Sequence, residues 1–295
     1  MRLFLLFLFS VLLAILGSSL VAQPLYKLLG IDGLIDFDNF GKRLAMLAIL
    51  LTIVAILKFK GSLDHKNVGW SVSENQTRSR LLFYGFVVGI AMMLPVTWLF
   101  HSLDLRVLNL SPDFAWDAFA VKLASLLLAA FAVSLIEETF FRGILFEGFL
   151  KDKAPLSAVL FTALFFAVIH FARIKGSELP ADASWYYGSV ILADSIAMHW
   201  DGNYFSTALS LFLAGVLLGI VRLKTKNVWA CIGIHSGWIL TLKVDKKLSY
   251  FNEQSDWDFL VGPYDYYNGW ATAGWLAIIF LVYFVVATYR KPSGS

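Results

Sequence analysis

The chain has 295 residues, of which 59% are hydrophobic and only 15% charged, with a mean hydropathy of +0.71. A soluble domain of that length needs a more charged surface, so the composition excludes the ordinary soluble class and points to the membrane. The net charge of +3 is scattered, with no basic run interleaved with aromatics, which excludes a nucleic-acid binder.

Apolar windows of membrane-crossing length fall near 3–22, 43–58, 82–101, 117–150, 155–173, 205–222, 228–243 and 269–289. The expected fold is all-α: a polytopic transmembrane bundle of about eight helices in one integral membrane domain, 1–295, with a motif-bearing core over about 117–243. The first window is either a signal peptide or a retained first helix. Arg2 precedes an apolar run ending Leu20-Val21-Ala22, but the run is long for a signal sequence and a retained helix is favoured. Window 117–150 exceeds one bilayer crossing, so it must tilt, protrude or break near Gly143.

The loops sort by charge. Lys58, Lys60, Lys66, Arg78 and Arg80, then Lys151 and Lys153, then Arg222, Lys224 and Lys226, then Arg290 and Lys291 mark a cytoplasmic side. Asp104 and Asp113, then Glu178, Asp182, Asp194 and Asp201, then Glu253, Asp256, Asp258 and Asp265 mark the opposite side. Trp98, Trp116, Trp185, Trp200, Trp257, Tyr264 and Tyr266 cluster there, as interfacial anchors would. Ser184 to Trp200 mixes aromatic, aliphatic and polar residues, which suits a helix lying on the membrane surface. His101, Asp104, Arg106 and His199 are read as loop or interface residues.

The chemistry concentrates in Ser134-Leu135-Ile136-Glu137-Glu138-Thr139-Phe140-Phe141-Arg142-Gly143. A charge at the centre of a membrane helix costs about 2.5 to 3.5 kcal/mol, so such residues face a bundle interior or a wet cavity and find partners. Glu138 and Arg142 are four apart, on one face, in the order that favours an ion pair. Glu137 points about 100° away and is free for other work. The plain alternative is a buried charge network that only fixes helix register.

Two histidines interrupt other apolar helices: His170 after Phe165-Phe166-Ala167-Val168-Ile169, and His235 after Cys231-Ile232-Gly233-Ile234. Counting 1.5 Å per residue, Glu137 lies about 20 Å from a helix end near Leu150 and His170 about 22 Å from a start near Pro155, so the two can meet. His235 is about 11 Å from a start near Val228 and needs a tilted or offset helix.

Glu137-Glu138-x-x-x-Arg142, then Phe166-x-x-x-His170, then His235 on a third helix resemble the CAAX-protease and bacteriocin-processing (CPBP, or Abi) family of membrane peptidases. The match runs in order over about 137–240. The family's third motif commonly reads His-x-x-x-Asn, whereas Ile239 stands here in place of the amide.

The resemblance implies an intramembrane endopeptidase acting on a membrane-associated peptide or protein substrate within the lipid bilayer, with a bacterial inner membrane as its expected location. It also implies catalytic residues Glu137, Glu138, Arg142, His170 and His235. In one arrangement Glu137 activates a water shared with His170, Glu138 and Arg142 orient Glu137, and His235 stabilises the oxyanion. In another, Glu137, His170 and His235 ligate Zn²⁺ as an open His₂Glu site, although no H-E-x-x-H element is present. Alternatives are a catalytically inactive scaffold or immunity-type protein of the same fold, a Cys231/His235 nucleophile pair, and a transporter. The last lacks the paired broken helices that class uses.

Overall fold

The computed structural model describes residues 2–31, 34–59, 69–110, 115–150, 154–171, 179–198 and 202–289. Of the charges that orient the chain, Lys60, Lys66, Asp113, Lys151, Lys153, Glu178, Asp201, Arg290 and Lys291 lie outside the described residues, as do His199 and Trp200.

Each of the eight apolar windows is a helix. In chain order they are α1 (Arg2–Leu29), α2 (Phe37–Phe59), α3 (Arg78–Ser102), α4 (Trp116–Glu138) running on through a π-helical stretch Thr139–Leu145 into α5 (Phe146–Leu150), α6 (Pro155–Ile169), α8 (Phe205–Thr225), α9 (Trp229–Leu248) and α10 (Trp270–Tyr289). The surface-helix segment forms α7 (Tyr187–Met198). α1, α3, the α4–α5 rod and α8 are long and apolar enough to cross a membrane. The fold is thus an all-α membrane bundle. Large apolar side chains on its outside, such as Val121, Leu128, Phe83 and Leu281, suit acyl chains.

The small departure is a ribbon, β1 (Arg106–Leu108) and β2 (Ser249–Phe251), antiparallel with Val107 opposite Tyr250. It ties the end of α3 to the end of α9. Arg106, read from sequence as a loop residue, is buried there: its Nε donates to Ser249 Oγ at 2.8 Å and its side chain pairs with Asp245. Arg222, read as a cytoplasmic-loop charge, is likewise buried, donating to the Arg142 carbonyl at 2.9 Å and pairing with Glu147.

What brings α9 inward is a seam of small residues. Gly85 and Gly89 of α3 face Gly233 and Gly237 of α9. A Cβ at Gly85 would sit 2.5 Å from the Ala230 carbonyl oxygen, and one at Gly237 2.5 Å from that of Phe86. Backbones approach that closely only where side chains vanish, the packing device of membrane helices. His235 lies between the two α9 glycines and is carried with them into the bundle. Gly215 of α8 does the same against Ala163 of α6, where a Cβ would stand 2.8 Å from the Ala163 Cα.

Candidate active site

Residues 139–145 leave the α-helical pattern for π geometry, at the place where the sequence predicts a break near Gly143. A π turn inserts one extra residue into the helical ladder and so rotates the next turns of the helix, a device common at functional sites. Glu137 and Glu138 stand just before it on α4, about 100° apart, and so serve different neighbours. Glu138 and Arg142 point into the protein and are fully buried; Glu137, about a quarter exposed, points toward open space.

Glu138 Oε1 accepts from Arg142 Nη1 at 3.0 Å and from His235 Nδ1 at 2.8 Å. The guanidinium also donates to the Gly215 carbonyl at 3.2 Å and lies 4.5 Å over the Phe166 ring. Four elements are thereby locked together: the α4 end, α6, α8 and α9. The sequence pairs Glu138 with Arg142 correctly. Their contact, however, is to His235 and not to Glu137, because the third partner comes from a helix nearly a hundred residues away, which i,i+4 spacing cannot reveal.

His170 sits at the C-terminal end of α6. Its Nδ1 lies 2.7 Å from the Phe166 carbonyl, which can only accept, so Nδ1 carries the proton donated there and Nε2 is left facing outward. His235 makes the same choice through Glu138. Both Nε2 atoms then stand 3.9 Å from one oxygen, Glu137 Oε2. The five residues picked from sequence therefore converge, α9 supplying His235 despite its shallow apparent depth. Glu137 Oε2, Glu138 Oε2, Arg142 Nε and Ser134 Oγ are buried without a hydrogen-bond partner among the described residues. Polar atoms so placed are ordinarily met by water.

Two cavities meet at Glu137 and His170. One, of about 260 Å³, runs between α1, α2 and the π stretch and is lined largely by apolar side chains such as Val11, Ile15, Met46, Ile49 and Phe140. The other, of about 360 Å³, runs down α9 and is lined by His235, Ile239 and Lys243 together with Tyr267 and Asn268. Tyr264 borders both and donates its hydroxyl to the His170 carbonyl at 2.9 Å. Its hydroxyl is thus engaged within the protein, whereas Trp98, Trp116 and Trp185 are exposed as expected. Nothing in its local sequence marks that role, since the contact spans 94 residues.

Glu137, His170 and His235 are the residues that would hold a Zn²⁺. Two ligands of a tetrahedral zinc stand about 3.3 Å apart, from bonds near 2.0–2.1 Å. The observed separations are 3.9 Å, and among the described residues no group of three potential ligands is close enough to hold an ion. As placed, these side chains do not fit the metal. A water hydrogen-bonded at about 2.8 Å to both ends spans the same gap without strain.

Cys231 is buried with its thiol directed at the Leu218 carbonyl of α8, 3.4 Å away, in an apolar cluster with Leu217, Leu218 and Ile234. It belongs to helix packing, its hydrogen bond going to α8 and that of His235 to Glu138.

Residues 119–241 match the family model described as Type II CAAX prenyl endopeptidase Rce1-like, in agreement with the resemblance carried by the motifs. No curated protein and no solved structure matches the chain.

Proposed function

The segment 119–241 is Rce1-like, and from that premise we propose that this integral membrane protein is an endopeptidase that cuts a membrane-associated, prenylated peptide with a water activated by Glu137. The observation that carries the reading is the approach of Glu137 Oε2 to both imidazole Nε2 atoms at 3.9 Å, at the junction of two cavities.

Each side chain has a distinct task in this reading. Glu137 and His170 Nε2 are the two acceptors that orient the water, and Glu137 takes one proton from it as its oxygen bonds to the carbonyl carbon. His235, held by the Glu138 carboxylate on Nδ1, acts in this reading as the imidazolium, whose second N–H, at Nε2, donates to the carbonyl oxygen as negative charge gathers there. Arg142, paired with Glu138 at 3.0 Å, balances its charge. The proton taken by Glu137 passes to the amine nitrogen as the C–N bond breaks, which restores the carboxylate. Ile239 lines the same cavity as His235 but brings no donor, so the imidazole carries the oxyanion without a side-chain amide.

The test is cleavage of a farnesylated peptide by purified protein, with and without a chelator, in Glu137→Gln, His170→Ala and His235→Ala. Loss in all three with indifference to chelator is expected. Chelator-sensitive activity restored by Zn²⁺ would replace the water reading with the metal one. An unchanged phenotype in Glu137→Gln would favour the inactive-scaffold alternative.

A further inference from the structure

The cavity along α9 is lined by a cation that hydrolysis does not use. His235, Ile239 and Lys243 recur at four-residue steps on α9 and all line it. The Lys243 backbone is therefore about 12 Å along the axis from that of His235. Lys243 is half-buried, Lys122 of α4 is near enough to repel it, and no carboxylate among the described residues pairs with it.

The carboxylates nearby are already engaged. Asp265, on the same lining, accepts from the backbone N–H groups of Tyr267 and Asn268 and from the Asn268 side chain. Asp245 is held by His101, Arg106 and Tyr267. Lys246, the other lysine of the lining, stands 5.8 Å over the Tyr267 ring. The cavity between α1 and α2 differs in this respect, because its lysine, Lys42, is paired with Asp38 at 2.6 Å. A partly desolvated ammonium with no counter-charge is costly, and an arriving anion removes the cost.

The geometry points to Lys243 as a specificity-determining residue that binds a carboxylate of the substrate three or four extended residues from the bond that is cut. The spacing comes from about 12 Å of helix face against about 3.3 to 3.6 Å per extended residue. This assignment rests on the peptidase reading of the Glu137 site. Two sources carry the required chemistry: the free C-terminus of the substrate, or an acidic side chain at that distance.

The experiment uses the full chain in detergent carrying Glu137→Gln, which binds without cutting. It is titrated with three fluorescent farnesylated peptides that differ only at the end: a free C-terminal carboxylate, a C-terminal amide, and an amide with Asp as the third residue beyond the prenylated cysteine. The carboxylate peptide, the Asp peptide, or both are expected to bind at least tenfold more tightly than the plain amide, and which of them does so identifies the source. Lys243→Met removes the preference and leaves affinity for the amide unchanged; Lys243→Arg retains most of it. In the cleaving protein, Lys243→Met raises KM for the carboxylate peptide and leaves kcat alone. Equal affinity for all three peptides, failure to bind any of them, or a preference that survives Lys243→Met overturns the assignment. An intact binding preference in a chain that does not cleave counts against the peptidase reading and leaves Lys243 as the anchor.

Discussion

α9 carries a histidine–carboxylate–arginine cluster at each end, and the two are built to different specifications. Near its start, His235 meets Glu138 and Arg142; near its finish, Asp245 meets His101 at 2.7 Å, Arg106 at 3.2 Å and the Tyr267 hydroxyl at 2.7 Å. At the far end both Asp245 oxygens are taken, and burial together with the hydrogen bond to Asp245 holds the Tyr267 phenol well above its usual range. At the near end Glu138 Oε2, Arg142 Nε and the neighbouring Glu137 Oε2 have no partner among the described residues, and Glu137 opens on two cavities. A network with both carboxylate oxygens engaged leaves little for a substrate. One with unfilled polar atoms facing a cavity does, and the same residue types thus make a brace in one place and, in the proposed reading, a reaction centre in the other.

The contrast is broken most severely at Glu137. Glu137→Gln should lower kcat by about 10²- to 10⁴-fold, the usual weight of a general base, while leaving the melting temperature in detergent unchanged. Asp245→Ala should do the reverse. It strands buried Arg106, and removing one partner of a buried pair costs about 3 to 5 kcal/mol, so a large fall in melting temperature is expected with kcat of the surviving folded fraction near normal.

The seam that carries both clusters is the next target. Gly237→Val forces a side chain into the Phe86 backbone and should cost about 1 to 3 kcal/mol of stability, read as a lower melting temperature. Ile239→Asn sharpens the comparison from the other side. An added amide on the cavity wall beside His235 should raise kcat by up to about tenfold, or about 1.4 kcal/mol of barrier. Cys231→Ala should change kcat least, because its thiol only packs against α8.

The eight apolar helices were legible because about 20 uncharged residues in a row have few other uses. The five candidate residues, which the structure brings together, were legible for the converse reason, that ionisable groups inside such runs need a purpose. What escaped the sequence depends on distant partners. α9 continues to Leu248, past the expected end near 243, because its charged last turns are held by His101, Arg106 and Tyr267 from other elements. The glycine seam was present as Gly85-x-x-x-Gly89 and Gly233-x-x-x-Gly237, a readable small-residue pattern that composition and charge alone pass over. The β1–β2 ribbon is three residues per strand, too short for any periodicity to announce.

That Glu137 and His170 act on one and the same water is tested most directly by a double-mutant cycle on kcat/KM with a farnesylated peptide, using Glu137→Gln, His170→Ala and both together. Groups serving a single water fail as a unit, so the double variant should be no slower than the slower single one. Losses that multiply, as for independent sites, would contradict the account.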